Sequence, residues 1–573
     1  MNSAGITRLG ILLLVSVTAS CHRAPSPPSS GGSGGRLVVA QAAGPKTFNP
    51  LFADDQESLS VLSCLMAPLI RIHRQTGRPE LELAESLSYS KDRTQLILRL
   101  RRGLAFSDGH PLTADDVLFT FEVIYDPNVP NALADLLKIG GRKITIHRED
   151  ELTLTFTLPY AYAPIERVFD AVFILPRHRL ERPYREGRFR SAWGLSTPAS
   201  EIVGAGPFML KEYVPGQRTV LVRNPYYWKR DAQKRRLPYL DELLFLIVPD
   251  RNTRFLKFQQ GELDLLAPIT PEEAARLQPQ VEARAVRVHD LGPSLISEVL
   301  WFNLNPQAPR IPPWKRAWFQ DVRFRQAIAF AIDRQALVEV LFSGKATPVW
   351  GPVPPSSPWY NPRVRTYPYD PLRARTLLAE MGLTDRDGDG RLEDRQGHPV
   401  SFTIVTTAGN PIRERLGLMI QEDLRKVGLH VQLVPLEAKS LFARLEQSFD
   451  YEAGLLGLAL GDTDPSALNN VLPSWGTSHW WYPRQKAPAT AWERQIDELM
   501  DAQMRTFDPA RRKALFDRVQ EIMAEHVPFI YLVARDLIVA AKAHVENLKP
   551  GLIPDFLLWN VEELRIHPLA ARR

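Results

Sequence analysis

The sequence predicts an α/β protein of more than one domain, and three observations carry that expectation. SFTIVTT (401–407), a helix-period run through Ile412, Leu416, Ile420, Leu424 and Val427, and LHVQLVPL (429–436) read as strand, helix and strand. TQLILRL (94–100) and LTLTFTL (152–158) alternate apolar and polar residues as half-buried strands do. The chain has 573 residues and 44% hydrophobic content, enough for two or three domains with ordinary cores.

In chain order, Arg8 and the free amine precede an apolar run, Leu9 to Val17, far shorter than the ~20 residues of a membrane-spanning helix. Residues 1–20 therefore read as an export signal. Cys21, one of two cysteines, follows the small residues Ala19 and Ser20 and opens a Pro-, Ser- and Gly-rich stretch that has nothing apolar to bury. Residues 21–35 read as a flexible tether. Within it, Gly31 to Gly35 matches G-x-S-x-G only formally, because that motif needs a strand-to-helix elbow. RLVVAQAA, from Arg36, starts the folded part as a strand. Cys64, in VLSCLMAPLI, reads as a buried free thiol.

Thr113 caps a helix, ADDVLFTFEVIYD, with Val117, Phe121 and Ile124 on one face and Asp115 and Asp116 in the first turn. Asp321 caps VRFRQAIAFAIDRQALVEVLF, read as one helix with an apolar stripe at Ala327, Ile328, Ala331 and Ile332. Gly428 ends the helix of the 401–436 unit, so its two strands should be parallel. Pro-rich joints at 306–313 and 348–362 read as ordered loops, and the chain carries no internal repeat.

The formal charge of +6 comes from scattered arginines among a similar number of acids, with no basic block interleaved with aromatics, which argues against nucleic-acid binding. There is no G-x-x-x-x-G-K-[ST], no H-E-x-x-H and no zinc-spaced Cys/His cluster. No cofactor is expected.

Six stretches, in order, resemble the peptide/nickel family of bacterial extracellular solute-binding proteins, family 5, which feed ATP-driven importers. They are LRRGLAFSDGHPLTADDVLFTFE (100–122), GAGPFMLKEYVPGQRTVLVRNPYYW (204–228), FQQGELDLL (258–266), FQDVRFRQAIAFAIDR (319–334), LRKVGLHVQLVP (424–435) and RRKALFDRVQEIMAEHVPFIYL (511–532). Asp108-Gly109, Pro111 and Asn224-Pro225 in these motifs do turn-forming work and identify a fold without marking a ligand. The resemblance implies a two-lobed periplasmic-binding-protein fold, type II-like, with a small α/β domain inserted in the first lobe. The expected division is 36–75, 185–290 and 510–573 for lobe I, 76–184 for the inserted domain and 291–509 for lobe II. Ligand would bind between the lobes, which close by hinge motion. The start of the chain also resembles a lipoprotein signal, which implies an acylated Cys21 that holds a monomeric captor on the extracytoplasmic face of a bacterial membrane, beside a permease and ATPase complex.

The resemblance further implies an aspartate in lobe II, shortly before a D-P pair, that meets a peptide's amino terminus. In LGLALGDTDPSALNN (456–470) the count back from Asp464-Pro465 falls on Gly461, and Asp462 fits if the loop is one residue shorter; otherwise Asp462 and Asp464 brace a turn. Trp480 and Trp481 in SHWWYP, and Asn303 and Trp350 near the lobe joints, are further candidates for ligand contact or core packing. DRDGDGRLED (385–394) places Asp385, Asp387 and Asp389 as an EF-hand loop would, but Gln396 stands where the bidentate carboxylate belongs, so a solvated turn is the default over calcium. The expected cargo is an oligopeptide or dipeptide. The alternatives are a nickel chelate, haem, an oligosaccharide or an opine-like compound on the same fold, and, more remotely, a hydrolase built on Asp462 and Asp464.

Overall fold

The structure is a computed structural model that describes residues 34–308 and 310–567. The signal segment, Cys21 and residues 22–33 of the tether lie outside the described residues.

Two four-stranded sheets build the first lobe. Arg36–Gln41 pairs in parallel with Glu242–Ile247, which continues antiparallel through Arg218–Arg223 to Phe208–Val214. The second sheet is antiparallel throughout, in the order Ala84–Tyr89, Gln95–Leu100, Thr153–Thr157, Thr145–Arg148. Its inward residues Leu96, Leu98 and Phe156 meet Val117, Phe121 and Ile124 of the helix Ala114–Tyr125. Thr113 and Asp116 form the reciprocal capping box that starts this helix. Leu37, Phe208, Leu221 and Phe245 of the first sheet belong to the same core, so the small sheet is packed onto its lobe as one hydrophobic body.

The third sheet has seven strands, ordered Leu265–Ile269, Phe529–Lys542, Val286–Phe302, Ala453–Ala459, Ser401–Thr407, His430–Leu436, with Ala346–Pro348 also on Phe529–Lys542. Ser401–Thr407 and His430–Leu436 pair in parallel register and are joined by the helix Pro411–Lys426, as the strand–helix–strand reading requires. Gly428, at φ +86°, makes the left-handed turn out of that helix, a conformation a side chain would strain. The apolar faces of this lobe form two cores, one around Phe302, Phe324, Phe402 and Leu416, the other around Trp301, Trp481, Met500 and Phe529.

Two strands run through both lobes. Val286–Phe302 has 17 residues and Phe529–Lys542 has 14, and they pair antiparallel from Val286↔Lys542 to Trp301↔Phe529. At ~3.3 Å per residue the longer one spans about 55 Å. Its near end packs with Phe255, Phe258 and Leu277 beside the first lobe, and its far end lies in the second-lobe cores. The ladder slips register between Asp290 and Pro293, Pro293 and Ser297, and Ser297 and Val299. Such irregularities bend a strand, and here they mark where the ribbon passes from lobe to lobe.

The structure corrects two expectations. Residues 322–342 form two helices, Val322–Ala331 and Arg334–Phe342, because Asp333 accepts a bond from the Ala336 N–H as an N-cap while its own N–H donates to Asp423 at 3.0 Å. The return to the first lobe also comes later than residue 510. Helix Pro509–His526 buries Phe516, Val519, Ile522 and Met523 in the core of Trp301 and Trp481, and the chain crosses back only along Phe529–Lys542.

Candidate functional site

The loop after Ala453–Ala459 is where the lobes meet. Asp462 accepts two bonds from Nη1 of Arg167, at 2.8 and 2.6 Å, and Arg167 stands on the short helix Ile165–Asp170 of the first lobe. The other guanidinium nitrogens of Arg167 reach the Gly77 carbonyl and Asp464, the latter at 3.2 Å. Asp464 is buried and takes a bidentate pair from Arg512, both bonds 2.7 Å, while its Oδ1 also caps the turn that begins at Pro465. Burial opposes ionisation of Asp464, but Arg512 and Arg167 outweigh it and hold its carboxyl below the usual range.

Several sequence candidates are placed away from any open surface. Trp481 is fully buried, edge-on to Phe529, and donates its indole N–H to Glu493 at 3.2 Å. Trp480 is also buried and stacks on Trp301 with ring centroids 5.1 Å apart. Asn303 donates to the carbonyls of Phe449 and Tyr451 and accepts from the Asn305 N–H, tying two chain segments together within the core. Trp350 is half-buried beneath the guanidinium of Arg334, 4.4 Å from the ring centroid. In this conformation Trp480, Trp481 and Asn303 pack within the core and Asp464 is an internal ion-pair partner. Glu493 holds the aromatic segment in place, since it also accepts from Gln485, Ala489 and Thr490. Burial pushes its carboxyl up, but the donors His479, Gln485, Thr490 and Trp481 prevail and bring it down to about 2.

Gly461 has a different setting. It closes one side of a cavity of about 370 Å³ whose other walls come from the first lobe and the C-terminal segment. Leu51, Met66, Phe173 and Trp559 supply apolar and aromatic surface, and Arg71, Arg74, Glu82, Asp170, Asp555 and Glu562 bring charge. Arg71 donates to Glu562 at 2.8 Å and lies 3.7 Å from Glu82; Lys229, behind the wall, lies 2.8 Å from Glu562 and 3.6 Å from Glu82. Tyr227 donates its hydroxyl to Glu82. Burial disfavours the Glu562 charge, yet Arg71 and Lys229 hold that carboxyl far below its ordinary value. Arg74 pairs with Asp170 at 2.8 Å, and Asp170 also receives the Ile72 N–H.

Sequence reading missed this cavity. Its only trace was charge lodged among apolar residues, as at Arg71 between Ile70 and Ile72 and at Asp555 in LIPDFLLW.

The acidic turn lies elsewhere and is solvent-exposed. Asp385, Asp387 and Glu393, rather than Asp389, bring carboxylate oxygens within 4.8 Å of one another. Asp389 instead accepts from the Arg391 N–H at 2.8 Å, and Asp385 accepts from Gly388 and Gly390, the pattern of a self-capped turn.

Comparison with known proteins gives consistent results. Residues 78–480 match the model for bacterial extracellular solute-binding proteins, family 5, middle region. A probable ABC transporter-binding protein of Deinococcus radiodurans is 28% identical over 516 residues, covering 86% of this chain and 85% of that relative. The oligopeptide-binding protein AppA of Bacillus subtilis is 26% identical over 560 residues, 96% of this chain and 94% of its own. AppA solved with a nonapeptide superposes with TM-score 0.71 at 25% identity, covering 94% of this chain and 99% of that one. NikA of Brucella suis, solved with Fe(III)-EDTA, shares the fold at TM-score 0.76 and 20% identity, over 93% of this chain and all of that one.

Replacing Arg167 by Met removes one of the contacts that tie the lobes together in this conformation, beside the Ala163 N–H bond to the Met504 carbonyl and the edge-on rings of Tyr89 and Phe507, so small-angle scattering from the ligand-free protein should give a larger radius of gyration than wild type; an unchanged radius refutes a latching role for Arg167. Glu493 has a depressed folded value, so its contribution to stability is complete above about pH 4.5, its ordinary value, and drains away as the pH falls towards 2. Acid titration of the melting temperature should lose part of that slope in Glu493→Gln, and an identical slope would remove Glu493 from the account.

Proposed function

The chain belongs to family 5 of the bacterial extracellular solute-binding proteins, and on that footing we propose that it captures short peptides between its lobes and delivers them to the permease of an ATP-driven importer. The observation that carries this reading is the cavity of about 370 Å³ closed by Gly461 at the lobe junction. Small-ligand sites occupy roughly 300–1,000 Å³ and favour such junctions.

The cargo is inferred from relatives and from size. AppA of Bacillus subtilis is an oligopeptide-binding protein solved with a nonapeptide. Nine extended residues measure about 30 Å, so a cavity of this volume favours shorter peptides. Capture is a matter of differential affinity: a ligand touching both lobes stabilises the closed form over the open one by the contacts that only the closed form completes. Here the ribbon of Val286–Phe302 and Phe529–Lys542, with its register slips, supplies the bend. The carboxylates a hydrolase would need, Asp462 and Asp464, are each engaged by arginine, which favours capture over catalysis. Among the described residues no helix is long and apolar enough to cross a membrane. Attachment through an acylated Cys21 would place the captor beside its transporter on the outer face of the cytoplasmic membrane or in the periplasm.

Mass spectrometry of small molecules released by denaturing the gently purified protein should recover peptides, and peptide mixtures should raise its melting temperature; recovery of a sugar or metal chelate with no peptide response refutes the cargo. In cell fractionation the protein should sediment with membranes and Cys21→Ser should move it to the soluble fraction. Equal partition of the two would eliminate the lipid anchor.

A further inference from the structure

The bend between the lobes is held by a turn of the second lobe. Pro293 of one crossing strand stands opposite Asp536 of the other, and a proline has no N–H to give to the ladder. The Asp536 N–H donates instead to the Lys345 carbonyl at 3.0 Å, and the Pro293 carbonyl accepts the Ser356 hydroxyl at 2.6 Å. Just before Lys345 in the chain, the Ser343 hydroxyl donates to Glu272 at 3.2 Å, on the helix Pro271–Glu282 beside the first lobe. The turn 343–345 therefore touches the first lobe and both crossing strands at the point where they bend.

The side chains at the bend are unevenly paired. Asp290 accepts Lys345 Nζ on Oδ2 at 2.9 Å and the Gly292 N–H on Oδ1 at 3.0 Å. Asp536 Oδ1 is buried and, among the described residues, has no hydrogen-bond partner. Two charges act on this carboxyl, Asp290 from the strand Val286–Phe302 and Lys345 from the turn, whereas Arg535, its neighbour in the chain, stands among Glu298, Arg251 and Arg413. Burial pushes the Asp536 carboxyl up, Asp290 adds to this and Lys345 opposes it. Lys345 and Asp290 are both partly exposed, so solvent screens the lysine and the cost of the buried oxygen is not cancelled.

We propose that Asp536 is a positioning residue that couples the lobe equilibrium to pH: carrying a proton it favours the described arrangement, in which Arg167 meets Asp462, and without the proton it drives the bend towards a more open form. Opening lets water reach Asp536 Oδ1 and draws it away from Asp290, so ionisation costs less there than in the described arrangement. By linkage, a carboxyl that burial and a like charge hold up supports the arrangement in which they do so while it is protonated, and that support is lost as the pH rises through the raised value. The device is independent of the cargo, because it acts on the equilibrium that any captured solute has to shift.

The test is small-angle scattering from the ligand-free protein from about pH 5 to about pH 8, a window above the ordinary aspartate value that takes in a raised one. The wild-type radius of gyration should rise with pH, and Asp536→Asn should keep throughout the radius that wild type has at the acid end. Asp290→Asn, which leaves Lys345 to Asp536 alone, should move the rise to lower pH, and Lys345→Met should move it to higher pH. Histidines that titrate in this window do so in wild type and variants alike, so the difference between the curves is the readout. A rise in Asp536→Asn equal to that of wild type overturns the proposal, as does a wild-type radius that stays constant or falls with pH. A melting temperature altered by Asp536→Asn with the scattering curve unmoved gives the residue a merely structural role and also overturns it. Should Asp536→Asn not fold, Asp290→Asn decides: a rise at the wild-type pH overturns the proposal, and a rise at lower pH supports it.

Discussion

The antiparallel pairing of Val286–Phe302 with Phe529–Lys542 is the constraint on which the rest of the architecture hangs. It is the ladder that carries covalent continuity, hydrogen bonding and hydrophobic packing from the first lobe into the second. A ladder resists stretching and shearing because each residue's N–H and C=O is already spent, yet it bends where register is lost. The three slips between Asp290 and Val299 therefore confine motion to one place. Just beyond them, packing becomes tight: a Cβ on Gly454 would overlap the indole of Trp301, which also contacts Trp480, Tyr451 and Phe529. A soft bend next to a rigid aromatic block allows the second lobe to move as one body.

The lobes are held in the described arrangement mainly by polar contacts, together with the edge-on rings of Tyr89 and Phe507. Arg167 joins Asp462, Asp464 and the Gly77 carbonyl, and Arg512 secures Asp464 from the other side. Ion pairs of this kind repay desolvation only when their geometry is good and their remaining atoms are bonded, so their net contribution to stability is modest. That suits a hinge. A strong apolar seal between lobes would favour closure regardless of cargo, whereas a partly buried pair such as Arg167 with Asp462 leaves the equilibrium within reach of a ligand's contacts. Most of the hydrophobic gain lies inside each lobe, with Ile72 and Ile553 of the first lobe joining the core of Trp301 and Trp481.

A second division separates the cavity from the aromatic segment. Trp480 and Trp481 have the composition of a binding wall, but Glu493 gathers Trp481, Gln485, Ala489 and Thr490 around one carboxylate and draws the segment into the core. The charged wall of the cavity comes from residues far apart in sequence, Arg71 to Glu562, that only the return of the C-terminal segment onto the first lobe brings together.

By itself the sequence determined what depends on near neighbours. Alternation gave the strands at 95–100, 153–157 and 401–407, and the helix Pro411–Lys426 and the capping box of Thr113 were legible from residues within a turn or two. The ordered motifs from 100 to 532 were enough to reach the family. Where local signals competed, reading was less secure: Asp333 could sit inside a helix or cap a new one, and its bond to Asp423, 90 residues on, settled it. The tertiary structure alone decided which polar groups remain available. Asp462 and Asp464 look alike in GDTDP, yet Arg167 and Arg512 reach them from distances of 295 and 48 residues. Charge pairing is set by proximity after folding, and composition and spacing along the chain carry no record of it.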